Sequence, residues 1–100
     1  MIDPNDVCDV QDYSAATLAG VIERLLASGS PEALIYRECE LDEIWRLIDL
    51  DITSLMATGG AAIELARLTH LREAIMQAHD LVGVNSDPKA AAQRLRELIT

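Results

Sequence analysis

The chain has 100 residues, half of them hydrophobic, with only Tyr13, Tyr36 and Trp45 as aromatics and no Phe, so one domain with a core of Leu, Ile, Val, Ala and Met is expected. Eight basic residues against 17 acidic ones leave a net charge of -9, which excludes a protein built to hold nucleic-acid phosphates directly. Five Gly and three Pro exclude collagen-like and low-complexity classes, and the hydrophobic content is too high for global disorder, so a folded, soluble, acidic domain is expected.

Residues 1–12 carry Pro4, Asn5 and four Asp without helical period and read as an extended acidic arm. Asp12 or Ser14 can then cap a first helix, whose apolar set is Leu18, Val21, Ile22, Leu25 and Leu26. Gly29 is the expected stop, as a residue free to take positive φ. Ser30-Pro31-Glu32 is a start signal: a capping hydroxyl, a proline where no N–H is needed, and an acid near the positive end of the dipole. The second helix has the apolar set Leu34, Ile35, Leu41, Ile44, Trp45, Leu47 and Ile48, interrupted by Arg37, Glu38 and Glu40. That interruption suggests a break near Cys39 and a restart at Asp42; a short strand over 34–39 is the alternative, with helix preferred because no partner strand is visible.

Residues 52–82 lack proline, and Leu55, Ile63, Ala66, Leu71, Ile75 and Val82, with Leu65 and Leu68 widening the apolar face, predict one long central helix. Gly59 and Gly60 inside it each cost about 1 kcal/mol relative to Ala, so a kink, a close helix crossing or a dimer seam is expected there. Gly83 is the expected stop, residues 84–87 a turn, and Asp87-Pro88 the start of a last helix reaching Ile99, with Ala91, Leu95, Leu98 and Ile99 inward. The fold class is therefore all-α: a compact bundle of four to five helices.

The charge is unevenly laid out. Residues 1–51 hold twelve acids and three bases, whereas residues 52–100 hold five of each, so the whole imbalance lies in the first half. Two groups stand out: the ladder Asp3, Asp6, Asp9 and Asp12, and the cluster Glu38, Glu40, Asp42 and Glu43, followed by Asp49 and Asp51. Solvated carboxylates and helix caps are the ordinary use of such runs, but a field of one sign also steers a partner of the other. These ten residues are the candidate partner-binding set, with Gly59 and Gly60 as candidate packing or dimer positions.

No motif names a reaction. An EF-hand register fails in the N-terminal acids, for want of a Gly at position 6 and a Glu at 12. His70 and His79 would stand on opposite sides of one helix, roughly 13 Å apart along its axis, so they cannot share a metal. Cys8 and Cys39 give neither a disulfide framework nor a zinc spacing, so a reducing compartment and a buried thiol at Cys39 are expected, with no cofactor. The N-terminus lacks the basic and apolar regions of a secretory signal, and the longest uncharged run, 52–63, is too short to span a bilayer, so a cytoplasmic protein is expected.

The segment IDLDITSLMAT at 48–58, with Asp51, Ser54 and Leu55, resembles the Asp-Ser-Leu region of acyl carrier domains. That resemblance implies a phosphopantetheine on Ser54 at the start of a helix; Thr53 stands where the motif has Asp. By size and charge the chain is also similar to anti-CRISPR proteins, antitoxins, immunity proteins and antiactivators. The leading expectation is a non-enzymatic inhibitor that docks its acidic half on a basic, nucleic-acid-binding surface of a protein partner. A carrier-like or secretion-chaperone-like module is the alternative, and an exposed apolar helix face would allow a homodimer.

Overall fold

A computed structural model describes residues 10–99, which contain four helices and no strand. The first, α1, spans Ala15–Ala27 and starts as its capping residues dictate: the Thr17 N–H donates to Ser14 Oγ at 3.2 Å. Asp12 braces the cap, accepting from the Ser14 N–H at 3.0 Å and the Ser14 hydroxyl at 2.9 Å. The helix ends without help from Gly29, which does not take positive φ; instead the Ser28 hydroxyl donates to the Arg24 carbonyl at 2.7 Å and the Ser28 N–H to the Leu25 carbonyl at 3.2 Å.

The longest helix is α2, Pro31–Ala57, with Ser30 Oγ accepting from the Ala33 N–H at 3.2 Å and Pro31 in the first turn. It runs unbroken through Cys39, so neither the expected break nor the strand over 34–39 is present. The reason is burial: Arg37 and Glu40, which interrupt the apolar pattern, face inward and pair with each other, so the polar letters mark an internal ion pair and not a turn.

Where one helix was expected over 52–82, there are the last turns of α2, a turn at residues 58–61, and α3, Ala62–Gly83. Gly59 and Gly60 form that turn. Gly59 has φ +71° and its N–H donates to the Met56 carbonyl at 3.4 Å, while the Gly60 N–H reaches the Leu55 carbonyl at 2.8 Å. This is a Schellman cap, in which the left-handed residue is glycine because a Cβ would be strained there. At Gly60 the constraint is space, since a Cβ would lie 2.5 Å from Leu55 Cγ. Both glycines are exposed, so the pair is neither a helix crossing nor a kink within a helix.

Gly83 is the last residue of α3 and does not take positive φ; the left-handed residue of the next turn is Ser86, at φ 51°. Asp87 then caps α4, Pro88–Ile99, its carboxylate accepting from the Ala90 N–H at 3.0 Å.

The packing follows from the apolar faces. α2 lies along α3, α3 along α4, and α4 along α1, with a lighter contact of α1 on α2. Leu18, Val21 and Leu25 meet Leu41, Ile44, Ile48, Ile75, Val82 and Leu95 in one core, to which Val10 is added from the segment before α1. The radius of gyration, 13.8 Å, is near the roughly 13 Å of a compact domain of this length. Not every apolar position is used: Leu26, Ile35, Leu50, Met56 and Ile63 are exposed, Ile63 at 86%. Among the described residues, no helix is long and apolar enough to cross a membrane.

Candidate functional site

Asp3, Asp6 and Asp9 lie outside the described residues. The other candidate acids do several different jobs. Asp12 is a cap whose carboxyl is held below the ordinary range, first by the Thr17 hydroxyl and then by the Ser14 N–H and hydroxyl. Glu43 pairs with Arg46 one turn away, which lowers its carboxyl in the same way. Glu38, Asp42, Trp45 and Asp49 follow one another at i, i+4, i+7 and i+11, so they form a single row along α2. Arg72, Met76, His79 and Gly83 have the same spacing on α3. Two contacts set these rows against each other, antiparallel: Arg72 Nη1 donates to Asp49 Oδ1 at 2.5 Å, and the Glu38 carboxyl lies 3.2 Å from where a Gly83 Cβ would be. Arg72 also sits over the Trp45 ring, 5.8 Å from its centroid.

Glu40 is a correction. Read from sequence it belongs to the partner-binding cluster, but at 2% exposure it cannot touch a partner. Its Oε2 accepts from Arg24 Nε at 2.9 Å and Nη2 at 2.5 Å, and its Oε1 pairs with Arg37 Nε. The arrangement ties α1 to α2 through a carboxylate shared by two guanidiniums, where the two backbones approach each other at few points.

This pairing has a consequence for the surface. Of the eight cations in the chain, Arg24, Arg37, Arg46, Arg67, Arg72 and Arg94 are each in an ion pair with a carboxylate. Lys89 and Arg96, both on α4, are in none among the described residues. Glu23 of α1 and Glu32, Glu38 and Asp42 of α2 have no cation in contact within the described residues, and all but the half-buried Glu38 are exposed. The first two helices therefore present uncompensated negative charge.

A groove opens on the other side of α2. Its cavity, about 540 Å³, is lined by Asp12, Tyr13, Leu47, Asp51, Arg67 and Leu71 among others. An adjoining cavity of about 360 Å³ shares Tyr13, Arg67 and Leu71 and continues to Leu18, Leu98 and Ile99. The Tyr13 hydroxyl donates to Asp51 Oδ2. Partial burial, then the bond to Asp51, pushes the Tyr13 phenol up to about 12, so it remains a donor at neutral pH. Arg67 is held by Glu64 of the preceding turn, at 2.5 Å and 3.2 Å, which raises the guanidinium and lowers the carboxyl. Sequence reasoning marked Asp12 and Asp51 but missed this groove, because its walls come from three helices and the segment before α1.

Ser54 is exposed in the penultimate turn of α2, with its carbonyl accepting from the Thr58 N–H at 3.1 Å. The carrier resemblance needs a serine at a helix start, where the dipole favours a phosphate; Ser54 is near the opposite end. Cys39 is exposed and disulfide-bonded, which corrects the buried thiol and goes against the expected reducing compartment, where disulfides are rare; the other cysteine of the sequence, Cys8, lies outside the described residues. His70 is exposed, and no group of three His, Cys, Asp or Glu among the described residues is placed to hold a metal. Compared with known proteins, the chain matches no family model, no curated protein sequence and no solved structure.

Proposed function

We propose that this is a small, non-enzymatic inhibitor that docks its acidic N-terminal half on a basic, nucleic-acid-binding surface of a protein partner. The observation that carries the reading is the disposition of charge: Arg24, Arg37 and Arg46, the three cations of the first half, are all engaged by carboxylates, while Glu23, Glu32 and Glu38 make no ion pair among the described residues and Asp42 feels Arg46 only through space. Such a surface attracts a partner that otherwise holds phosphates, and raises its association rate by about 10- to 1,000-fold at low salt. Asp12 adds to the field without having to touch the partner, whereas Glu40, shared by Arg24 and Arg37, and Glu43, paired with Arg46, are offset by their own cations.

The test uses the tagged chain captured at low salt from its own host's lysate and weighed by native mass spectrometry. The partner's affinity is then measured against ionic strength for the native chain and for Glu23→Gln, Glu32→Gln, Glu38→Gln and Asp42→Asn combined. A basic partner whose affinity falls steeply with salt, and falls again on neutralisation, supports the reading. An affinity flat in salt and indifferent to the four substitutions refutes it, as does a phosphopantetheine mass on Ser54.

A further inference from the structure

We infer that the groove beside Tyr13 is an anchor pocket for one lysine or arginine side chain of the basic partner; the inference rests on the reading above and gives it a point of contact. Three features of the groove agree on this occupant. Its walls are apolar where Leu47 and Leu71 face it, which suits the methylene stem of such a side chain. Its charge is negative on balance: Asp12 and Asp51 line it, and its one cation, Arg67, is tied to Glu64. The size also allows it, since about 540 Å³ of open groove exceeds the volume of a single long side chain and leaves room for hydrating water.

Asp51 is the group that would meet the cationic head. It is exposed, and the Tyr13 hydroxyl holds only one of the roughly four acceptor positions of its carboxylate. The same bond fixes where the carboxylate points, so the entropy of orienting it is spent before the partner arrives. Arg67, which lines the same groove, spends its Nε and Nη2 on Glu64, its neighbour on the same helix, and not on Asp51.

The probe is Nα-acetyl-lysine methylamide, titrated into the nitrogen-15-labelled full chain, with Nα-acetyl-norleucine methylamide as the uncharged isostere. Expected are amide shift changes at Tyr13, Leu47, Asp51 and Leu71 with the lysine compound only. Asp51→Asn should weaken its binding about fivefold, the effect of one solvent-reached ion pair, while Glu73→Gln, at an exposed carboxylate of α3 outside the groove, leaves it unchanged. Equal shifts with norleucine, or lysine-induced shifts scattered over the outer carboxylates and indifferent to Asp51→Asn, overturn the anchor pocket and leave the basic-partner reading standing. A partner affinity flat in salt overturns that reading itself, and is measured on a different sample.

Discussion

Replacing Glu40 by Gln tests the internal ion pairs directly, because the two side chains have nearly the same volume and only the charge is lost. Arg37 would keep a guanidinium in a site where its side chain is 3% exposed, and Arg24 one that is 32% exposed. Removing one member of a buried ionic group costs roughly 3–5 kcal/mol. The lower end applies here, about 3 kcal/mol, since water reaches Arg24. Against a total stability of about 5–15 kcal/mol this is a large fraction. In urea unfolding followed by circular dichroism at 222 nm, the midpoint should fall by about 1–3 M at constant slope, for slopes of about 1–3 kcal/mol per M. Glu43→Gln, which breaks an exposed pair on the same helix, should shift stability by less than about 0.5 kcal/mol. If Glu40→Gln came within about 1 kcal/mol of the native chain, the claim that this carboxylate joins α1 to α2 would be wrong.

Three further outcomes are expected. Gly59→Ala should destabilise by about 1–2 kcal/mol through left-handed strain, and Gly60→Ala by a similar amount because Leu55 must move; thermal melts that leave both unchanged would remove the Schellman cap from the account. Tyr13, whose folded value of about 12 lies above the ordinary 10.0, favours the folded state below pH 10 and loses that contribution as pH rises towards 12. Alkaline ultraviolet titration should show this late phenol, and Tyr13→Phe should abolish it. Asp12 has the opposite sign: its lowered carboxyl adds stability above the ordinary 3.8, which is lost as acid protonates it, so Asp12→Asn should flatten that part of the acid-unfolding curve.

Much of the fold was legible because its boundaries are written in local chemistry. Ser14, Ser30-Pro31 and Asp87-Pro88 each open a helix where capping rules place one, and the absence of Phe with abundant Leu and Ala agrees with an all-helical core. Two things were hidden. Arg37 and Glu40 look like surface residues letter by letter, and their burial goes with a pairing that also takes in Arg24 of another helix. The periodic residues on either side of 58–61 continue in helical phase, so periodicity could not separate two helices from one; the glycine pair was the stronger signal, and the cost assigned to it was the clue. The candidate site divided in the same way. Exposed acids such as Asp42 could be read from the sequence, whereas the groove required knowing that Tyr13, Leu47, Arg67 and Leu71 converge.

The pairing of α1 with α4 has a kinetic side. α2 and α3 are joined through residues 58–61 and can zip together locally, but α1 finds α4 only by closing a loop that contains the entire hairpin. The smaller cavity that adjoins the groove draws its walls from this pairing, with Tyr13 and Leu18 towards one end of the chain and Leu98 and Ile99 towards the other. That cavity is complete only when α1 is docked on α4, so an occupant of it would act as a clasp on one of the chain's most distant contacts.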